Sequence, residues 1–389
     1  MQKYTFTTIG ITGYRRLSVI ALEMRPLTVM IGANGVGKTS FLEVFDLLAA
    51  SAKGELRNKL SKLGGFQSVL TCDDKTENIS FRIAMDVVDH EPLNYSLNLA
   101  GVSTSYEITY EELSQRHSDH QKPFNYINSN GSDVKYFPPG GKKLLRPNWD
   151  YSFSETALSQ IPKMYKEPEQ MRNRLASCTY YSAYNLDLSY QSPIRLPQAM
   201  QPATHPGSKG EDLVSCLYYL RETDRPRFEV IEDTLKVAFQ SFKRLNFPPV
   251  AAGTLTMTWE DEKFSKPLYM NQLSEGMLRF LWLITLLYSP NLTAVTLLDE
   301  PEVSLHPELL NLLRDAMREA AKSTHLIVAT HSDRLIGFLQ PKEVLILDSD
   351  EEGLTKMTWA DSDEFDLETW LTDYSLDELW RMGQIGGRA

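Results

Sequence analysis

The feature that most constrains this chain is a glycine-rich octet, Gly32-Ala-Asn-Gly-Val-Gly37-Lys38-Thr39, which fits the pattern GxxxxGK[ST]. An apolar run, LTVMI at 27–31, leads into it, and a helical pattern follows from Lys38 to about Ala50. Strand, tight loop and helix together make a phosphate cradle. Small residues let successive backbone N–H groups curl around an anion, and the helix points its positive end at it. Asn34, Gly35, Val36, Gly37, Lys38, Thr39 and Ser40 are therefore the candidate nucleotide-binding residues. Lys38 adds a charge for the outer phosphates, and the Thr39 hydroxyl is a candidate Mg2+ ligand. A nucleotide and Mg2+ are the expected ligands.

A second motif, Val295-Thr-Leu-Leu-Asp299-Glu300-Pro301-Glu302, delivers two acids at the tip of an apolar strand. Adjacent carboxylates repel unless a metal or a proton compensates. The pattern predicts that Asp299 holds Mg2+ and that Glu300 orients or deprotonates an attacking water. Between the two motifs lies Leu273-Ser274-Glu275-Gly276-Met277. Ser274 reads as a helix N-cap, and the same geometry can present N–H groups and a hydroxyl to a γ-phosphate. Ala329-Thr330-His331-Ser332 ends the next buried strand and offers His331 as a γ-phosphate contact. In Ser304-Leu-His306-Pro307, His306 shapes either a turn or a subunit contact.

Around these motifs the chain alternates short apolar runs (27–31, 293–299, 325–330, 343–347) with helical stretches (275–288, 307–322), which predicts a parallel sheet covered by helices. Residues 4–12, 17–23 and 78–111 carry the alternation of antiparallel strands. Residues 114–150 are rich in Gly, Pro, Asn and Lys and read as loop. Helices are expected at 155–175, interrupted near Pro162 and Pro168, and at 209–222 and 227–243; residues 253–262 read as strand. No heptad run is long enough for a coiled-coil arm.

Composition narrows the class. The net charge is −11, yet eight acids and no Lys or Arg fall within 360–378, leaving 43 acids against 40 bases elsewhere. Bulk charge thus gives no support for a nucleic-acid binder. The acidic stretch is either a docking surface or a solvated face. Cys72, Cys178 and Cys216 are too few and too scattered for a disulfide framework or a zinc site, which points to a reducing compartment. The longest apolar run, FLWLITLLY, has nine residues where a bilayer span needs about 20, so the expectation is a cytoplasmic protein with no membrane partner.

With these motifs in this order, the chain resembles the ABC-type ATPases, and within them the RecF/SMC-like branch of bacterial repair and anti-phage defence. The opening GITGYRRLSVIALEMRPLTVMIGANGVGKTS, the stretch DEPEVSLHPELL and the closing YSLDELWRMGQIGGR are similar to the compact members that lack a long arm. The signature here reads LSEGM rather than the LSGGQ of transporters, a departure that fits this branch. The resemblance implies an α/β ABC-ATPase head: a mixed, mainly parallel P-loop core sheet, an N-terminal antiparallel β layer, an inserted α/β segment and no long coiled coil. Its expected divisions are 1–65 with the P-loop, a lid- or arm-like insertion at 66–250, 251–348 with signature, Walker B acids and His331, and an acidic tail at 349–389. It also implies a split site, in which Ser274 and Gly276 of a second chain close over nucleotide held by residues 32–39, 299–300 and 331 of the first. Gln67 is the candidate Mg2+-sensing glutamine. Arg15 and Arg16 either flank the nucleotide or form a solvated basic turn. The expected activity is ATP hydrolysis by a head-to-tail dimer that drives or restrains a separate effector, such as a nuclease, in anti-phage defence. The alternatives are a repair ATPase that binds DNA and a nucleotide-switched scaffold around a nuclease or toxin.

Overall fold

The structure is a computed structural model and describes residues 5–73, 75–103, 105–116, 122–162, 165–251, 253–365 and 374–385. Two sheets with different burial patterns organise it. β1 (Phe6–Tyr14), β2 (Leu17–Glu23), β4 (Asn78–Val87), β5 (His90–Val102), β6 (Ser105–Gln115), β7 (Phe124–Asn130) and β8 (Asp133–Tyr136) form an antiparallel layer in the order β2-β1-β4-β5-β6-β7-β8. In β4, Ile79, Phe81, Ile83, Met85 and Val87 point inward while their neighbours face out, the period-2 pattern of a half-buried strand.

The second sheet takes the order β19-β18-β3-β17-β16-β9. It holds β3 (Leu27–Ile31), β9 (Thr179–Ser182), β16 (Val295–Asp299), β17 (His325–Ala329), β18 (Val344–Ser349) and β19 (Thr355–Trp359). All neighbours are parallel except the edge pair β18–β19. Every residue of β3 and β17 is buried, because both faces of the sheet are covered. One face carries α1 (Lys38–Lys53), whose Phe41, Leu42, Phe45 and Leu48 pack with side chains of the antiparallel layer. The other face carries α6 (Leu213–Thr223), α7 (Arg225–Ala238), α8 (Glu275–Leu287) and α9 (Leu310–Ala320) through Leu217, Phe228, Trp282 and Leu313. This is the α/β architecture expected, with no coiled coil: among the described residues the longest helix is α1, with 16 residues. No helix there is long and apolar enough to cross a membrane.

Three local readings need correction. Residues 114–150 are not loop throughout, since β7 and β8 pair as a hairpin whose aromatics stack edge to face, Phe124 on Tyr126 and on Phe137. The helix expected at 227–243 stops at Ala238, and Phe242–Asn246 forms β11, paired with β14 (Thr258–Asp261). Pro168 does not interrupt its helix, Lys166–Ala176. It sits in the first turn, where the missing N–H is not needed. The sequence between 66 and 250 feeds both sheets, β4–β8 to one and β9 to the other. Beyond 349, β19 closes an edge of the core sheet, and the helix Leu376–Arg381 buries Leu376 and Leu379. Residues 366–373 of the acidic stretch lie outside the described residues.

Candidate nucleotide site

Four parallel strands end at one rim. Ser182, Asp299, Ala329 and Met30 are level across β9, β16, β17 and β3, so the segments that follow emerge side by side. The carboxyl ends of parallel strands are where such sheets bind ligands.

The loop after β3 uses glycine where it must. Gly35 and Gly37 have φ of 74° and 114°, left-handed geometry that side chains resist. A Cβ on Gly37 would lie 2.6 Å from Thr355 Oγ1. Thr355 in turn donates to Val36 O at 2.7 Å, and its own N–H reaches Arg16 O at 2.9 Å, so the edge strand β19 braces the loop. α1 begins without a side-chain cap and with no acid in its first turn, which leaves its leading N–H groups for an anion. Lys38 is only 6% exposed and donates to Gly32 O at 2.6 Å and Ala33 O at 2.9 Å. Burial pushes its ammonium down to about 8, against the pull of Glu300 and Asp299. A buried cation beside uncapped helix N–H groups, in a loop with no room for a side chain at Gly37, fits a phosphate chain.

The acids sit opposite. Asp299 Oδ2 accepts from Tyr180 Oη at 2.7 Å, and burial raises its pKa above the usual carboxylate range. Its other carboxylate oxygen has no hydrogen bond among the described residues, and with the exposed Thr39 hydroxyl it suits a divalent cation. Glu300 has φ 51°, a left-handed turn held by its N–H to Ala329 O at 2.8 Å. Its Oε2 accepts from Tyr184 Oη at 2.8 Å, and its Oε1 lies 3.9 Å from His331 Nε2. Burial and nearby Lys38 push His331 below the ordinary imidazole value, which favours the neutral ring near pH 7. Glu302 fixes that switch: its Oε1 accepts from Thr330 Oγ1 at 2.5 Å and from the His331 N–H at 3.1 Å.

The signature opens α8. Ser274 is exposed, and its Oγ caps α8 by accepting from the Met277 N–H at 3.3 Å. A Cβ on Gly276 would meet Ser304 O at 3.0 Å, which places the signature beside the turn after the Walker B acids. The buried side chains of α8 belong to the face of the sheet opposite α1. Gln67 is not brought to the site. Its Nε2 lies over Gly101 at one end of β5, and among the described residues no hydrogen bond joins it to the phosphate loop or Asp299. His306 caps the turn Pro307–Leu309. Arg15 pairs with Glu43 at 2.8 Å, and the Arg16 side chain is exposed. Sequence reasoning missed Tyr180, Tyr184, Glu302 and Thr355. Only Glu302, inside the DEPE run, carried a motif signal.

Fold and site together define an α/β protein with a P-loop at the rim of a parallel sheet. The family described as "AAA domain, putative AbiEii toxin, Type IV TA system" matches residues 27–337, and the chain belongs to it. Among solved structures, the chain is similar to an Smc head bound to the C-winged helix domain of ScpA, with TM-score 0.52, 11% identity, and coverage of 91% of this chain and 97% of that one. It is also similar to the Smc head domain with an extended coiled coil, bound to the C-terminal domain of ScpA, derived from Pyrococcus furiosus. There the TM-score is 0.53, the identity 11%, and the coverage 95% of this chain and 99% of that one. At this identity the likeness speaks for the fold. A search of curated proteins returned no match.

Proposed function

We propose that the protein is an ATP hydrolase whose complete site forms only when two copies join head to tail over nucleotide. Asn34 to Ser40 cradle the phosphates with backbone N–H groups, and Lys38 neutralises the outer ones. Thr39 and Asp299 would hold Mg2+, which would offset the charge of the phosphates. Glu300 orients and deprotonates the attacking water, while the neutral His331 ring contacts the γ-phosphate. Ser274 and Gly276 of the second copy close the site with a helix N-terminus.

One observation carries this reading. The phosphate loop and the acids share a rim, while Ser274 stands exposed at the start of α8, whose buried side chains pack on the sheet face opposite α1. We further propose that pairing and release drive or restrain a partner protein, such as a nuclease, in anti-phage defence. Two similar head structures bound to a ScpA domain support a protein partner.

Glu300→Gln tests the chemistry. It should keep nucleotide affinity, slow turnover about 100-fold or more, and accumulate an ATP-bound dimer. Wild-type turnover in that variant removes Glu300 from the mechanism.

A further inference from the structure

Two neighbouring carboxylates at the end of one strand repel each other, and a carboxylate on a left-handed turn has several rotamers open to it. Something must therefore hold Asp299 and Glu300 in place before any ligand does. β9 supplies it. Tyr180 Oη donates to Asp299 Oδ2 at 2.7 Å, and Tyr184 Oη donates to Glu300 Oε2 at 2.8 Å. One donor is given to each acid, from residues four apart on the same segment.

That segment is itself tied down. The Ala183 N–H reaches Asp299 O at 3.0 Å, and the Tyr184 N–H reaches Ser182 Oγ at 3.2 Å. Arg279 of α8, only 6% exposed, donates to Ala183 O at 2.7 Å. The loop bearing Tyr184 is thus pinned to β16 on one side and to the signature helix on the other. The Tyr184 ring, by contrast, is 72% exposed. It packs little, so its hydroxyl is the contact that gives the residue its place.

We infer that Tyr184 and Tyr180 are positioning residues for ATP hydrolysis, Tyr184 aiming Glu300 and Tyr180 aiming Asp299. The inference rests on the hydrolytic reading above. Neither tyrosine belongs to a motif in the sequence. The two make separable contributions, because one acid acts on water and the other on the metal.

Tyr184→Phe removes one oxygen and leaves the exposed ring. It should lower kcat about tenfold while KM, nucleotide Kd and melting temperature stay at wild type. Tyr184→Ala should lose no more than Tyr184→Phe, because the ring itself contributes little. Tyr180→Phe should raise about tenfold the Mg2+ concentration that half-saturates metal-dependent binding of a fluorescent ATP analogue, measured without turnover. A Tyr184→Phe enzyme with kcat at or above wild type overturns the assignment of Tyr184. Unchanged Mg2+ dependence in Tyr180→Phe overturns that of Tyr180. Glu300→Gln, measured alongside, separates the two levels. If it turns over normally, the hydrolytic reading fails. If it is inactive beside a fully active Tyr184→Phe, only the present inference fails.

Discussion

The rim of the core sheet and the N-terminus of α8 are built in opposite ways. At the rim the charged side chains have partners within the chain. Lys38 has two carbonyls, Asp299 has Tyr180, Glu300 has Tyr184, and Glu302 holds Thr330. At the signature, Ser274 does nothing beyond capping its own helix, and Gly276 faces a backbone carbonyl. On the proposed reading, one half of the site is preorganised and the other is displayed. Preorganised donors cost no reordering when a ligand arrives, while a displayed helix end contributes only once something is brought to it. That contrast is what a site completed by a second copy requires.

The sharpest way to break the comparison is Ser274→Arg. A long cation at the displayed helix end should block closure and cut turnover about 100-fold, while each chain still binds ATP at the untouched rim. Normal turnover would show that the signature is a plain helix cap. A smaller effect concerns Lys38. On the proposed reading its charge holds phosphate, and burial pulls its free-state pKa down to about 8, so the charge is lost as pH rises through that value. ATP affinity should fall about tenfold between pH 7.5 and 9.5 in the wild type and stay flat in Lys38→Arg, which remains charged. A parallel fall in both proteins, followed by nucleotide titration, would place the titration elsewhere. The smallest effect belongs to Thr355→Val. It keeps the shape of the side chain but drops the bond to Val36 O, and should weaken nucleotide binding about fivefold by calorimetry. Unaltered affinity would make β19 a bystander.

The same contrast explains what was legible in the sequence. β3, β16 and β17 are continuous apolar runs because both faces are buried, and each ends in a motif, so the loop, the acids and His331 could be read directly. β9 is four residues long, Thr-Tyr-Tyr-Ser, with neither an apolar run nor a motif, and Tyr180 and Tyr184 were invisible with it. Thr355 lies near an acid-rich stretch, and composition there concealed an edge strand that braces the phosphate loop. β7 and β8 were hidden by Asn, Gly and Pro, although their aromatics pack as a cluster. Gln67 belongs to no residue pattern that would fix its place. The helix carrying it, Phe66–Val69, places it over Gly101 instead.

On the proposed reading, one copy is half a catalyst. Specific ATPase activity measured across a wide range of protein concentrations, with molecular mass determined on the same ATP-containing samples, addresses it most directly. Activity per chain should rise in step with the dimer fraction and vanish where the protein is monomeric. Constant activity per chain in samples that contain only monomer would contradict it.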